Sequence, residues 1–163
     1  MRALLELEPF ASVAGVLSHA ADELRSCNET ILLLAAPSFP GALAIAPIEA
    51  ALVDAGLPYR RRFRLEAPAK GPWVHILGPA EESGPRLSSD PPQLTLASVV
   101  VDGLTGHQGD ARKGPLTAVA QAHALAQEIC PGGSRVHRLR PWAISGNWLH
   151  SALDTTYDPV FTA

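Results

Sequence analysis

The stretch that most constrains the fold is residues 31–52, which read ILLLAAPSFPGALAIAPIEAAL. A continuous strand pattern at residues 30–35 is typical of a central parallel strand that is buried on both faces. A proline-rich turn follows, and residues 42–55 form an alanine-rich segment that ends at Gly56, a residue favoured just beyond a helix C-terminus. The stretch therefore predicts a buried strand, a tight turn and a helix.

Strand and helix patterns alternate along the rest of the chain. Helices are predicted at residues 11–26, 115–129 and 142–153, the first with Ser12 as N-cap and the second with Pro115 at its first position. Strands are predicted at residues 59–65, 73–77, 94–101 and 136–139, and loops at residues 79–92 and 102–114. This alternation predicts a Rossmann-like, three-layer α/β fold, with a mostly parallel sheet and helices on both faces. We interpret residues 1–163 as one domain, with residues 154–163 as an extended tail.

Composition places the chain among globular proteins, since 47% of its residues are apolar and 18% are charged. The formal net charge of −3 gives no overall attraction to nucleic acid or to an anionic membrane, so any basic site must be local. The N-terminus lacks a signal-peptide core, and Pro47 and Glu49 interrupt the longest apolar run. Cys27 and Cys130 lie far apart and outside any CxxC pair, which favours reduced thiols and leaves one disulfide open. These features predict a cytoplasmic protein with no membrane partner.

Standard catalytic motifs are absent from the sequence. It has no GxGxxG after the first strand, no GxxxxGK[ST], no HExxH and no GxSxG. Ser38 lies in the strand-to-helix turn, but no pattern assigns it a base. The sequence therefore predicts neither a metal nor a cofactor at a standard site.

The glycine-rich segment at residues 102–114 raises two hypotheses. Its acids and histidine form a candidate cation-binding or catalytic cluster: Asp102, His107 and Asp110. Its last residues precede a predicted helix whose N-terminal amides could hold an anion: Arg112, Lys113 and Gly114. Turn polarity explains the same residues more simply, because Asp, His and Gly are common in surface loops.

Residues 59–65 alternate in character along a predicted strand. The alternation places three arginines on one side of it: Arg60, Arg62 and Arg64. Such a stripe could follow the phosphates of a single-stranded nucleic acid. The alternative is a solvated strand face whose charge discourages pairing with another chain.

The C-terminal part of the chain concentrates aromatic residues in a short stretch: Trp142, Trp148, Tyr157 and Phe161. Aromatic side chains with few charges around them are typical of surfaces that bind a protein partner. They can equally cover the domain's own sheet, which is the commoner use of apolar residues.

Residues 16–63 resemble the start of the DHH-superfamily phosphoesterases, in particular the archaeal RecJ-like proteins. The shared pattern is a helix, an apolar strand, a turn, an alanine-rich helix, a Gly-Leu-Pro turn at residues 56–58 and a basic strand. In that family the turn reads His-x-Asp-x-Asp-Gly, and its His and Asp side chains bind the metal ions for phosphodiester hydrolysis. The resemblance implies a degenerate metal site here, because the matching positions are Ala36, Ser38, Pro40 and Gly41.

The family's Asp-His-His motif has two alternative matches. In one register it corresponds to residues 102–104, of which only Asp102 agrees with the motif. In the other register residues 99–106 match a later, non-catalytic segment of the family, and the motif is missing. The register of the resemblance after residue 65 stays open.

Three hypotheses follow for function. The first, by resemblance, is a non-catalytic RecJ-like domain that acts as a protein-binding scaffold in DNA replication or repair, with a GINS-like complex as its partner. The second is a small phosphoesterase or other hydrolase built around Asp102, His107 and Asp110, the one case in which Mn²⁺ or Mg²⁺ is expected. The third is a single-stranded nucleic-acid-binding module that uses the three arginines of the basic strand.

Overall fold

The computed structural model describes residues 3–78, 80–105 and 110–149. Two short 3₁₀ turns, Leu4–Glu6 and Glu8–Phe10, precede the first helix. The α-helices are α1 (Ala14–Ser26), α2 (Phe39–Ala55), α3 (Ala118–Ile129), α4 (Ser134–Arg138) and α5 (Arg140–Leu149). The strands are β1 (Ile31–Ala35), β2 (Tyr59–Phe63), β3 (Trp73–Ile76), β4 (Arg86–Ser88), β5 (Gln93–Leu96), β6 (Val99–Thr105) and β7 (Ala111–Leu116). Among the described helices, none is long and apolar enough to cross a membrane.

Five strands form one sheet in the order β2-β1-β3-β5-β4. β1 pairs in parallel with β2 and β3, and β3 pairs in parallel with β5. The short β4 pairs antiparallel with β5 at one edge, and β6 and β7 form a separate antiparallel hairpin. The predicted α/β fold, with a mostly parallel sheet flanked by helices, is therefore confirmed.

One face of the sheet carries the hydrophobic core. Leu33 and Ala35 of β1 are buried there, and the strand register aligns them with Val74 and Ile76 of β3. α1, α2 and α3 share this core, and α3 packs on both of the other helices. Each fully buried aliphatic side chain stabilises the fold by about 1.5–3 kcal/mol. The core on this face therefore keeps in place the strands whose ends form the candidate sites.

The opposite face of the sheet meets an irregular segment, residues 64–72. Connections between parallel strands are right-handed almost without exception. β2 and β3 flank β1 on opposite sides, so the connection from β1 to β2 and the connection from β2 to β3 run across the sheet in opposite directions. The helix α2 makes the first crossing, and residues 64–72 must therefore make the second one on the other face. Trp73 Nε1 donates a hydrogen bond to the Pro68 carbonyl oxygen at 3.2 Å and ties this segment to the sheet.

The turn and helix after β1 form as the sequence predicts, with α2 beginning three residues earlier than expected, at Phe39. The Gly41 N–H donates a hydrogen bond to Ser38 Oγ at 3.2 Å, so Ser38 serves as the N-cap. Gly56 follows the helix with φ +70°, the left-handed conformation that glycine adopts at low cost. Pro47 lies inside α2, and the helix continues through it.

The prediction of a strand at residues 136–139 is wrong. Residues 136–138 belong to α4, whose buried Val136 joins the core. Asp54 of α2 accepts a hydrogen bond from the backbone N–H of Arg135 at 3.2 Å and forms an ion pair with its side chain. A distant carboxylate thus satisfies an N–H group in the first turn of α4, which a local sequence pattern does not reveal.

The strands between the parallel sheet and α3 also depart from the predictions. The predicted loops at 79–92 and 102–114 contain β4 and most of the β6–β7 hairpin, and the predicted strand at 94–101 divides between β5 and β6. Pairing between neighbouring strands decides these elements, since β4 pairs with β5 and β6 with β7, and the pattern of each strand taken alone does not reveal its partner.

Two predicted helix starts are wrong. Pro115 lies in β7, and α3 begins at Ala118, because Thr117 Oγ1 accepts a hydrogen bond from the Ala120 N–H at 3.1 Å and caps the helix. At α1 the N-cap is Val13 rather than Ser12, and no side chain caps this helix.

Candidate functional site

The turn after β1 lies where open α/β sheets usually bind ligands, at the carboxyl ends of the strands. A cleft there, the turn cleft, is lined by Ala36, Ser38, Pro40, Gly41, Ile76, Leu77, Gly78, Ala118 and Val119. None of these residues is titratable. The cleft volume is about 10 Å³, which is room for roughly one water molecule. The turn cleft therefore offers neither the charge nor the space for a pair of hydrated metal ions and a phosphodiester.

The glycine of this turn has a packing role. A Cβ atom at Gly41 would lie 2.5 Å from the Ala36 backbone oxygen and 3.1 Å from the Ala35 Cβ. The first turn of α2 thus approaches the end of β1 more closely than any residue with a side chain allows. Close packing alone accounts for this glycine, so its presence gives little support to descent from a metal site.

Two of the three residues of the candidate catalytic cluster lie in the part of the chain that the structure describes. Asp102 is exposed on β6, Asp110 is exposed just before β7, and His107 lies outside the described residues. Because Thr105 pairs with Ala111, the two acids are separated by roughly 10 Å along the hairpin. Within residues 3–78, 80–105 and 110–149, no three His, Cys, Asp or Glu side chains are grouped so that they could hold a metal ion.

The candidate anion-binding residues do not lie at a helix N-terminus. Arg112, Lys113 and Gly114 are in β7, and α3 begins four residues beyond Gly114. The premise that the amides of a helix would meet an anion beside these residues is therefore wrong.

Of the aromatic candidates, one can be placed with its side chain. Trp142 lies on α5 and is 50% exposed. Trp148 belongs to α5 as well, but its side chain is outside the described part of the structure, as are Tyr157 and Phe161 altogether.

The three arginines of the basic strand lie on one side of it, along a large groove on the sheet face opposite the core. This basic groove has a volume of about 660 Å³ and is lined by Asn28, Glu29, Thr30, Leu32, Arg60, Arg62, Arg64, Pro68, Lys70, Gly71 and Pro72. Four of its lining residues are cations and one, Glu29, is an acid. The groove is therefore a strongly positive surface on a protein whose formal net charge is −3.

The fourth arginine of the strand, Arg61, belongs to the opposite face. Its Nη1 lies 2.8 Å from Glu49 Oε2 of α2, and its guanidinium lies 5.6 Å from the centre of the Phe63 ring. Period-two alternation thus divides the arginines of β2. Arg61 ties the strand to the helix layer, whereas Arg60 and Arg62 remain exposed in the basic groove.

The segment at residues 64–72 forms the outer wall of the basic groove, and hydrogen bonds hold it in place. The Arg64 N–H donates to the Ala35 carbonyl oxygen at 2.8 Å, which extends the β1–β2 ladder by one step. At the other end of the wall, Gln93 Nε2 donates to the Gly71 carbonyl oxygen at 3.2 Å. The Trp73 bond to Pro68 fixes the middle. The groove is thus bounded on two sides by anchored backbone, while its cationic side chains stay exposed.

The positive charge of the groove contributes to a lowered pKa of a histidine in the sheet. Burial, and to a smaller degree the charge of Arg64, lowers the pKa of His75 on β3. The ring of His75 also meets Trp73 edge to face, with ring centres 6.1 Å apart. His75 is therefore a neutral, packed side chain near the groove at neutral pH and adds no charge to it.

Sequence patterns identify the arginines of the groove but miss its opposite wall. Lys70, Pro68 and Pro72 carry no motif. The handedness rule for parallel strands would have placed them once the strand order was known, because it puts residues 64–72 over the face opposite α2.

Comparisons of this chain with protein-family models, with curated proteins and with solved structures find no match. The likeness to DHH-superfamily phosphoesterases stays a prediction that rests on the sequence pattern of residues 16–63. Functional inference therefore depends on the geometry and charge of the described residues.

Proposed function

We propose that this chain is a non-catalytic domain that binds single-stranded nucleic acid through its phosphate backbone, in the basic groove. The observation that carries the proposal is the alignment of Arg60, Arg62 and Arg64 along one groove, with Lys70 on the facing wall. Cations that neutralise phosphates and release counterions supply most of the affinity in sequence-independent binding.

The spacing of the arginines suits an extended strand of nucleic acid. Side chains two residues apart on a β-strand are separated by about 6.6 Å. Arg60, Arg62 and Arg64 thus recur at this interval along the chain, and a guanidinium group can pair with a phosphate through two parallel hydrogen bonds. Arg64 already donates a hydrogen bond from Nε to the Glu66 carbonyl oxygen, so it would meet a phosphate through its remaining N–H groups. A flexible single strand can place successive phosphates to match this interval.

The size of the groove favours a single strand over a duplex. Its volume of about 660 Å³ lies within the range of small-molecule sites. Residues 64–72 contribute Pro68, Lys70 and Gly71 to the groove beside β2. The floor and wall contribute Leu32, Pro68 and Pro72, apolar surfaces against which a sugar can rest.

A single substitution tests the proposal. In 50 mM salt, Arg62→Ala is expected to weaken the binding of a fluorescently labelled single-stranded oligonucleotide about eightfold, because one phosphate contact with its counterion release is lost. Arg86→Ala is the matched control, since Arg86 is exposed on β4 at the other edge of the sheet. Fluorescence anisotropy measures both. An equal loss in the two variants, or no binding by the native protein at this salt concentration, would refute the proposal.

The remaining hypotheses stay predictions. A RecJ-like scaffold with a GINS-like partner, in replication or repair, rests on the resemblance alone. A hydrolase around Asp102, His107 and Asp110 depends in part on a residue outside the described ranges.

A further inference from the structure

The outer edge of β2 is a surface of the sheet at which a further strand can pair. β2 is the last strand on its side of the sheet, and within the described ranges it pairs with β1 alone. All of its residues except the first are exposed. An edge strand leaves a row of backbone N–H and C=O groups without a strand partner. An extended peptide can add to such a row as a new strand.

The register of the β1–β2 ladder identifies the backbone groups that face this edge. The Arg64 N–H donates to the Ala35 carbonyl oxygen, which continues the ladder. In a parallel pair, residues that bond to the neighbouring strand alternate with residues whose backbone groups point away from it. The even-numbered residues of β2 therefore bond to β1, and Tyr59, Arg61 and Phe63 direct their N–H and C=O groups outward.

The side chains along this edge differ between the two faces of the sheet. On the groove face, Arg60 and Arg62 are exposed. On the helix face, Phe63 is 44% exposed. Val53 is 45% exposed and follows Glu49, the residue of α2 that pairs with β2, by one turn on the same side of the helix. A strand that pairs with β2 would thus meet cations on one face and apolar surface on the other.

Charge selects among the strands that could occupy the edge. A second copy of this chain, paired edge to edge so that the two sheets continue, would place its own arginines on the same face as Arg60 and Arg62. Like charges on neighbouring strands destabilise a sheet, whereas opposite charges stabilise it. Because successive side chains of a strand alternate between its faces, the complementary sequence alternates acidic and apolar residues.

We propose that the outer edge of β2 binds an acidic peptide in extended conformation, as an added strand with its acids toward Arg60 and Arg62 and its apolar side chains toward Phe63. Binding at this edge does not depend on nucleic-acid binding, because the residues whose backbone groups point outward do not line the basic groove. The two sites share Arg60 and Arg62, so a bound peptide and a bound nucleic acid would compete for these charges.

The probe is a fluorescently labelled peptide that alternates glutamate and valine and has glutamate at both ends. Phe63→Pro removes one outward N–H and keeps the ladder to β1, since proline is tolerated in an edge strand where its nitrogen faces solvent. Phe63→Ala is the matched control, because it removes the same side chain and keeps the N–H. By anisotropy with the full chain in 50 mM salt, Phe63→Pro is expected to bind at least tenfold more weakly than Phe63→Ala. Equal affinities, or no binding by the native protein, would overturn the proposal.

Two N-methylated forms of the peptide test strand pairing on the native protein, and they keep the proposal testable should Phe63→Pro fold poorly. One form is methylated at the backbone nitrogens of its valines and the other at those of its glutamates, so both keep the charge of the probe. In a paired strand, only one of these two sets of N–H groups faces β2. One form and not the other is therefore expected to lose binding. Equal affinities of the two forms would show that charge alone attracts the peptide, and the proposal would fail.

Two further measurements separate the edge from the groove and from self-association. Phe63→Pro should bind the single-stranded oligonucleotide as the native protein does, because Phe63 does not line the groove. A loss equal to that of the peptide would place both ligands in the groove and contradict a separate site. Sedimentation of the native protein as a dimer that Phe63→Pro converts into a monomer would show a second copy at the edge, and would overturn the choice of an acidic peptide.

Discussion

Replacing Arg60, Arg62 and Arg64 together by alanine is expected to weaken single-strand binding more than 100-fold in 50 mM salt, beyond the range of a titration. Each phosphate contact contributes about 1.2 kcal/mol at this salt concentration through counterion release, and the three contacts lie along one groove. Fluorescence anisotropy with a labelled oligonucleotide measures the loss.

If the groove binds the nucleic acid, the loss of affinity must depend on the positions of the replaced arginines and not only on the change in net charge. A matched control is the triple variant Arg86→Ala, Lys113→Ala and Arg138→Ala, whose exposed cations lie outside the groove. Both variants lose three positive charges, and only the groove variant is expected to lose binding. Because the groove arginines are exposed, thermal melting of the two variants should be similar. Comparable loss of affinity in both would show that long-range charge, and not the groove, attracts the nucleic acid.

Gly41→Ala is expected to lower the free energy of unfolding by about 3 kcal/mol. The added Cβ would stand 2.5 Å from the Ala36 backbone oxygen. Overpacking usually costs about 1–3 kcal/mol, and we expect about 4 kcal/mol here because a backbone oxygen at the end of a buried strand cannot move aside. Alanine recovers roughly 1 kcal/mol through its higher helix propensity. Urea unfolding monitored by circular dichroism gives the difference.

The control for this substitution is Gly15→Ala, in the first turn of α1. Beyond the chain neighbours of Gly15 and the backbone of its own helix, no atom lies within 4 Å of a Cβ built at this position. Alanine there is expected to leave stability unchanged or raise it by up to about 1 kcal/mol. If Gly41→Ala proved as mild as Gly15→Ala, close packing would no longer explain the glycine of the turn, and the argument from the DHH-like pattern would regain weight.

How far the sequence predicts this fold depends on how local each element is. The β1–turn–α2 unit could be predicted because its signals are adjacent in the chain: an apolar run, a proline-rich turn and Gly56. The alternation of β2 predicts which arginines share a side, since period two is a property of any strand. In contrast, α4 is stabilised by a hydrogen bond to Asp54 of another helix, and no local sequence pattern indicates that contact.

The same reasoning explains which site residues were missed. Lys70 reaches the basic groove only because residues 64–72 cross the sheet, and that crossing follows from strand order rather than from composition.

The salt dependence of single-strand binding is the most direct test of the central claim that the basic groove holds a phosphate backbone. With three to four phosphates neutralised, the logarithm of the association constant should fall linearly with the logarithm of salt concentration, with a slope of about −2 to −3. Between 50 mM and 200 mM salt the affinity should drop about 20- to 50-fold. A slope near zero for the native protein would contradict the account.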